Sequence, residues 1–144
     1  ANRIPILVVA PGVTSPGASS EALVETVDIY PTVCDLAGLP LPQDTQPIDG
    51  LSLVPLLRGE SDGVRDHAYH CFPKGGRLGR AIRTDRYRLI EWVPIRSNGE
   101  PVYELYDYET DPLERANLAE TNAEVVRSLS KKLATHPEAL PPKR

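Results

Sequence analysis

The stretch at residues 101–119, PVYELYDYETDPLERANLA, constrains the fold of this chain more than any other. Val102, Glu104 and Tyr106 alternate with Tyr103, Leu105 and Asp107, the period-two pattern of a half-buried strand, and the alternation stops in a turn at Glu109-Thr110-Asp111-Pro112. A lone strand cannot bury its apolar face, so the segments before it must supply a sheet. Residues 66–72 alternate, with Ala68, His70 and Phe72 on one face and His67, Tyr69 and Cys71 on the other. Residues 80–83 and 87–93 read as two further strands that turn at Thr84-Asp85-Arg86, and Asn98-Gly99 places a hairpin turn before the last strand. The glycines of residues 73–79, PKGGRLG, predict a flexible loop carrying Lys74 and Arg77. Beyond Asn117-Leu118, Asn122 is placed to cap a helix from Ala123 to about Thr135, whose stripe of Val125, Val126, Leu129 and Leu133 should cover one face of the sheet. His136 is expected at the end of that helix, facing its dipole, before Pro137 and a polar tail at 141–144.

The first part of the chain has a different character. Residues 4–11, IPILVVAP, form a continuous apolar run ended by Pro11-Gly12, as in a strand buried on both faces of a mainly parallel sheet. No second run of this kind follows, and neither does a β-α-β alternation, so the strand is expected to be the last of a sheet supplied from elsewhere. Residues 13–20 read as loop and residues 22–27 as a short strand. Asp28 is placed as N-cap of a helix over residues 29–37, with Pro31 in its first turn and Gly38 beyond its end. Ile29, Val33, Leu36 and Ala37 recur at helical spacing and predict packing on a sheet. Residues 40–49 are a proline-rich loop, followed by a short helix over residues 53–58 with Ser52 as cap and Gly59 as stop.

A length of 144 residues with 40% apolar and 25% charged residues suits a globular domain, and the 15 prolines and 10 glycines sit mostly between periodic segments. The net charge of −4 is unevenly spread: residues 1–60 carry −5, residues 61–100 carry +3 and residues 101–144 carry −2. That basic middle lacks the strong positive bias and clustered aromatics of a nucleic-acid binder, so no nucleic-acid partner is expected. No apolar run approaches the roughly 18 residues of a membrane span, and no membrane partner is expected. Cys34 and Cys71 have no metal or redox spacing; core packing is their first reading and a disulfide the second. Ala1 is neither an initiator Met nor the start of a signal peptide, and the chain reads as a piece of something longer.

Five strings resemble, in the same order, the sulfatase family within the alkaline-phosphatase-like hydrolases: RIPILVVAPG, DIYPTVCDLAG, DGLSLVPLLRG, RAIRTDRYRLIEW, and the sequence of Glu-Leu-Tyr-Asp, Thr-Asp-Pro and Asn-Leu. Within that family, PKGGRLGRAIRTDRYRLIEW looks most like the iduronate-2-sulfatase branch. The resemblance implies an α+β fold: a roughly four-stranded antiparallel sheet packed by a C-terminal helix (residues 61–144), preceded by the terminal strand, helix and loop of the large α/β domain (residues 1–60). It also implies a large N-terminal sulfatase domain and a sulfated sugar substrate as partners, and a periplasmic, secreted or lysosomal location.

Sulfatases hydrolyse sulfate esters with a formylglycine made from the first residue of Cys/Ser-x-Pro-x-Arg and with a calcium ion, so both cofactors are implied for the intact enzyme and neither is expected on this segment. Cys71-Phe72-Pro73 begins that motif, but Lys74 and Gly75 follow and the Arg is missing. No carboxylate cluster has metal-like spacing, and His67 and His70 would lie on opposite faces of a strand. Catalytic and metal residues are therefore expected to be absent, and the segment alone is expected to be inert. The candidates that remain are substrate-binding: His70, Phe72, Lys74, Arg77 and Arg80, cations beside an aromatic, which suit a sulfated, carboxylated sugar. A solvated charged surface is the other reading of the same residues. Arg83, Arg86 and Arg88 are expected to pair with Asp85, Glu91 and Glu104. Two alternatives for the whole stand beside this one: a related phosphoesterase or phosphonate hydrolase, distinguished only by its nucleophile, and a non-catalytic sugar-binding or subunit-contact module with exposed aromatics around Trp92 and Tyr87.

Overall fold

The computed structural model describes residues 4–43 and 46–138; the expected tail at 141–144 and two residues of the proline-rich loop lie outside them. The chain divides into two compact units, Ala1–Arg65 and Asp66–Arg144. In the first, the apolar run at residues 4–11 forms no strand: a buried strand needs ladder partners, none is present among the described residues, and Leu7 and Val9 are 86% and 88% exposed. The short strand expected at residues 22–27 is also absent; Thr26–Asp28 form a 3-10 turn instead.

Helix α1 (Ile29–Leu36) follows that turn directly. Asp28 makes no cap bond to α1, because its side chain is fully buried and turned to other partners. One carboxylate oxygen accepts from the Glu25 backbone N–H at 2.7 Å, the other accepts from the Leu51 N–H at 2.8 Å, and the Arg65 guanidinium donates to the latter while also binding Glu25. Thr32 extends the tie, since its hydroxyl donates to the Asp28 carbonyl and accepts from the Leu53 N–H. The buried face of α1 is therefore Pro31, Thr32 and Cys34, packed beside residues 50–54, while Ile29 and Val33 of the predicted stripe are 46% and 56% exposed. The physical reason is that the described residues of this unit contain no sheet for the stripe to pack on. Helix α2 (Val54–Leu57) is a single turn begun by Leu53; the Ser52 hydroxyl accepts from the Val54 N–H and donates to Asp35.

The second unit is the expected sheet. Strands β1 (Ala68–Lys74), β2 (Arg77–Arg83), β3 (Tyr87–Pro94) and β4 (Val102–Asp107) pair antiparallel in the order β1-β2-β3-β4. The flexible loop expected at residues 73–79 is instead a tight hairpin. Gly75 and Gly76, at φ 59° and 76°, form a two-residue turn of the twist that antiparallel strands favour, and Lys74 pairs directly with Arg77. The second turn is held by Thr84, whose N–H donates to the Tyr87 carbonyl and whose hydroxyl accepts from the Tyr87 N–H.

Helix α3 (Ala123–Leu133) covers one sheet face, with Leu129 and Leu133 packed on Ile82, Leu89 and Leu105. Asn122 occupies its N-cap position without a side-chain cap bond. Beyond α3, His136 does not act through the helix dipole alone. Its Nε2 lies 2.7 Å from Nε2 of His67 and its ring stacks on Tyr69 at 4.3 Å, while Asp66 binds both His67 Nδ1 and the Lys132 ammonium. That contact joins the end of α3 to the start of β1. The Asn-Leu string has an equally local reason: Asn117 Oδ1 accepts from the Leu105 N–H, Asn117 Nδ2 donates to the Tyr103 carbonyl, and the Leu118 N–H donates to the Leu105 carbonyl. The outer edge of β4 is thereby satisfied without a fifth strand.

Candidate functional site

Antiparallel register sorts the side chains into two faces, because residues opposite each other share a face. Beneath α3 lie Tyr69, Ile82, Leu89 and Leu105, and next to them Cys71, Arg80, Glu91 and Tyr103. The other face carries, row by row, His70-Ala81-Ile90-Glu104, Phe72-Gly79-Trp92-Val102 and Lys74-Arg77-Pro94. The structure thus places His70, Phe72, Lys74 and Arg77 on one face, with Phe72, Lys74 and Arg77 at the Gly75-Gly76 end of the sheet and His70 farther along it. It does not bring Arg80 with them. Arg80 points to the α3 side, where Nε and a terminal nitrogen donate to Glu91 at 2.9 and 2.5 Å, and the Tyr103 hydroxyl donates to the other Glu91 oxygen.

Within the group, Phe72 is 57% exposed, Lys74 and Arg77 are exposed, and His70 is half-buried. Burial, reinforced by the positive charge of Arg88, lowers the His70 pKa below the ordinary histidine value. His70 shares the face with Lys74 and Arg77 but stands two rows away from them, four residues along β1 from Lys74. A folded-state pKa below the unfolded one means that the unfolded chain binds this proton more readily. The His70 contribution is therefore constant above about pH 6.5 and erodes stability as the pH falls below it. An NMR titration should place the His70 midpoint under 6.5; a midpoint at or above that value would contradict the assignment.

Sequence reasoning missed one member of the face. Trp92 sits between Gly79 and Val102 in the register, and the Lys74 ammonium stands 5.9 Å from its ring centroid. Alternation along β3 sets Trp92 with Ile90 and apart from Leu89, but only the cross-strand register shows which residues of β1 and β2 it joins. Tyr87, grouped with Trp92 in the sequence reading, lies on the opposite face against the α3 core.

The remaining arginines find other partners than expected. Arg86 donates to Asp107 and Glu109, Arg88 to Glu114, and the Arg83 guanidinium lies 3.7 Å from the centroid of Tyr108, whereas Glu104 accepts from Trp92 Nε1 and the Tyr106 hydroxyl. Asp107 is the last residue of β4 and Tyr108, Glu109 and Glu114 lie beyond it, pairings that alternation within a strand cannot resolve. Both cysteines are free, Cys34 buried and Cys71 exposed on the edge strand, so core packing holds for the first and not for the second. Among the described residues no group of three or more His, Cys, Asp and Glu side chains is arranged to hold a metal ion. The calcium ion that the resemblance implies for the intact enzyme is assigned to none of these described residues, and no catalytic step is routed through it. No helix among the described residues is long and apolar enough to cross a membrane.

The family model described as N-sulphoglucosamine sulphohydrolase, C-terminal, matches residues 1–139. The chain belongs to this sulfatase family. Among its relatives, a delta 4,5-hexuronate-2-O-sulfatase of Bacteroides thetaiotaomicron is 34% identical over 81% of this chain and 24% of its own length. Arylsulfatase K of Bos taurus is 32% identical over 92% of this chain and 25% of its own length. A protein solved in complex with its substrate D-glucosamine-2-N,6-O-disulfate superimposes with a TM-score of 0.65 at 27% identity, over 88% of this chain and 28% of that one. This sulfatase-family chain thus spans about a quarter of the length of the relatives it matches. The α+β architecture expected from the sequence, four antiparallel strands backed by a C-terminal helix, is the one observed.

Proposed function

We propose that this chain is the C-terminal part of a sulfuric ester hydrolase acting on a sulfated sugar, and that the helix-free end of its sheet contributes to the mouth of the substrate pocket. The observation that carries the pocket role is the placement of Phe72, Lys74 and Arg77 on one exposed corner of the sheet, with His70 farther along the same face. Two cations at a two-residue turn suit an anionic sugar, because sulfate and carboxylate oxygens accept charge-assisted bonds from both. A sulfated uronate, as in the iduronate-2-sulfatase branch, is the finer reading, and the hexuronate-2-O-sulfatase relative supports it. Calcium and a formylglycine belong in this reading to the remainder of the protein, as does an extracytoplasmic location. The exposed apolar residues of the first unit, Leu7, Val9, Ile29 and Val33, support a large domain as the partner that covers them.

The test is kinetic and uses the full-length protein. Lys74→Ala and Arg77→Ala should each raise KM for a sulfated disaccharide about two- to ten-fold and leave kcat nearly unchanged, since exposed charge contacts act on binding and sulfur is attacked elsewhere. An unchanged KM in both variants would return these residues to a solvated surface. A full-length sequence without Cys/Ser-x-Pro-x-Arg would instead favour the related phosphoesterase reading.

A further inference from the structure

Trp92, half-buried in β3, lies close over a glycine of the neighbouring strand. A Cβ built on Gly79 would lie 2.6, 2.8 and 3.0 Å from Cζ3, Cε3 and Cη2 of Trp92, so the benzene ring of the indole occupies the space directly above the Gly79 backbone. The other end of the indole reaches the opposite way, where Nε1 donates to Glu104 of β4 at 3.0 Å. Contacts at both ends, one towards β2 and one towards β4, lay the ring along the sheet with one π face turned down on Gly79 and the other turned away from it. Phe72, on the far side of Gly79 in the same row, continues the aromatic surface. Lys74 and Arg77 in the next row form a cationic rim, and the Lys74 ammonium stands over the Trp92 ring, 5.9 Å from its centroid.

We propose that Trp92 is a stacking platform for the pyranose ring of an anionic saccharide, with Lys74 and Arg77 taking its charged substituents. The chemistry follows from the shape of the site. One face of a pyranose presents a patch of C–H bonds that matches a flat π surface, while the hydroxyl, sulfate and carboxylate groups project from the ring edge towards donors at the rim. A protein partner would bring donors and acceptors for the sheet edge; this corner offers a fixed aromatic plane with cations on one side, which fits a ring that is apolar on its face and anionic at its edge. Glycine at position 79 is the enabling residue, because any side chain there would lift the indole from the sheet. The inference rests on the substrate-pocket reading above and adds to it the group that recognises the sugar ring independently of its charge.

That independence separates the two ideas experimentally. In the full-length protein, inhibition of aryl sulfate turnover is measured with a sulfated hexuronate-glucosamine disaccharide and with the same disaccharide lacking sulfate. Trp92→Leu and Trp92→Phe both keep an apolar side chain over Gly79, so both are expected to fold, and matched melting temperatures verify it. Trp92→Leu should weaken both disaccharides about five- to ten-fold and Trp92→Phe much less, given the usual contribution of an aromatic contact beyond its buried area. Lys74→Ala should weaken the sulfated disaccharide selectively. If the Leu and Phe variants bind the unsulfated disaccharide alike, the platform is wrong even where Lys74→Ala and Arg77→Ala act as expected. If Trp92→Leu alone weakens binding, the platform stands and the cationic rim does not.

Discussion

Replacing Asp28 by Ala is expected to cost about 3–5 kcal/mol, the range for breaking a buried ion pair by deleting one partner. The Asp28 side chain is fully buried and serves three groups from separate parts of the first unit: the Glu25 N–H, the Leu51 N–H and the Arg65 guanidinium. Deletion strands two backbone donors and leaves Arg65, whose side chain is only 12% exposed, without its innermost counter-ion. Asp28→Asn keeps the shape and an acceptor oxygen, and should fall between wild type and Ala. A double variant that also changes Arg65→Met should lose less than the sum of the single losses, because the stranded charge is gone. Chemical unfolding of the full-length protein would show these differences as midpoint shifts at constant slope. A loss under about 1 kcal/mol for Asp28→Ala would mean that water replaces its bonds and that the carboxylate is not the centre of this unit.

Gly50→Ala should be nearly as damaging, at about 2–4 kcal/mol, although the substitution adds one methyl group and removes no contact. The added carbon would stand 2.0 Å from the Val27 carbonyl oxygen, 2.5 Å from its carbon and 3.0 Å from the Asp28 nitrogen. All three are backbone atoms, so no side-chain rotation can relieve the overlap. The strand of loop at residues 50–53 would have to move off the 3-10 turn, and with it the Leu51 and Leu53 N–H groups that bind Asp28 and Thr32. Asp49→Ala, one residue earlier on an exposed side chain, should change stability by no more than about 0.5 kcal/mol. Equal melting of the two variants would show that the loop can shift without loss.

Both substitutions act on residues whose sequence reading was purely local. Asp28 in front of a helix looks like a cap because the partners that define it lie 23 and 37 residues away, and the backbone that constrains Gly50 lies on the far side of the loop, where no local pattern shows it. The same limitation applies to Arg86 and Arg88, whose carboxylate partners Asp107 and Glu114 come from the last residue of β4 and the segment after it.

What the sequence determined by itself was the set of elements of the second unit, where short-range periodicity decides the outcome. The four strands and α3 were legible because alternation and the 3.6-residue stripe are imposed within each segment, and the strings around Glu-Leu-Tyr-Asp and Asn-Leu carried the family resemblance. The hairpin at Gly75-Gly76 was legible only in part: the glycines were seen as freedom, whereas two positive φ angles use them to set the register. Tertiary structure decided the rest. Cross-strand register chose which cations share a face, sending Arg80 to Glu91 beneath α3 and leaving Lys74 and Arg77 beside Phe72 and Trp92. Burial chose which side of α1 is interior, against the apolar stripe, because the surface that stripe calls for is not among the described residues of its unit. A pattern along the chain states what a side chain needs; only the packed structure states which neighbour meets the need.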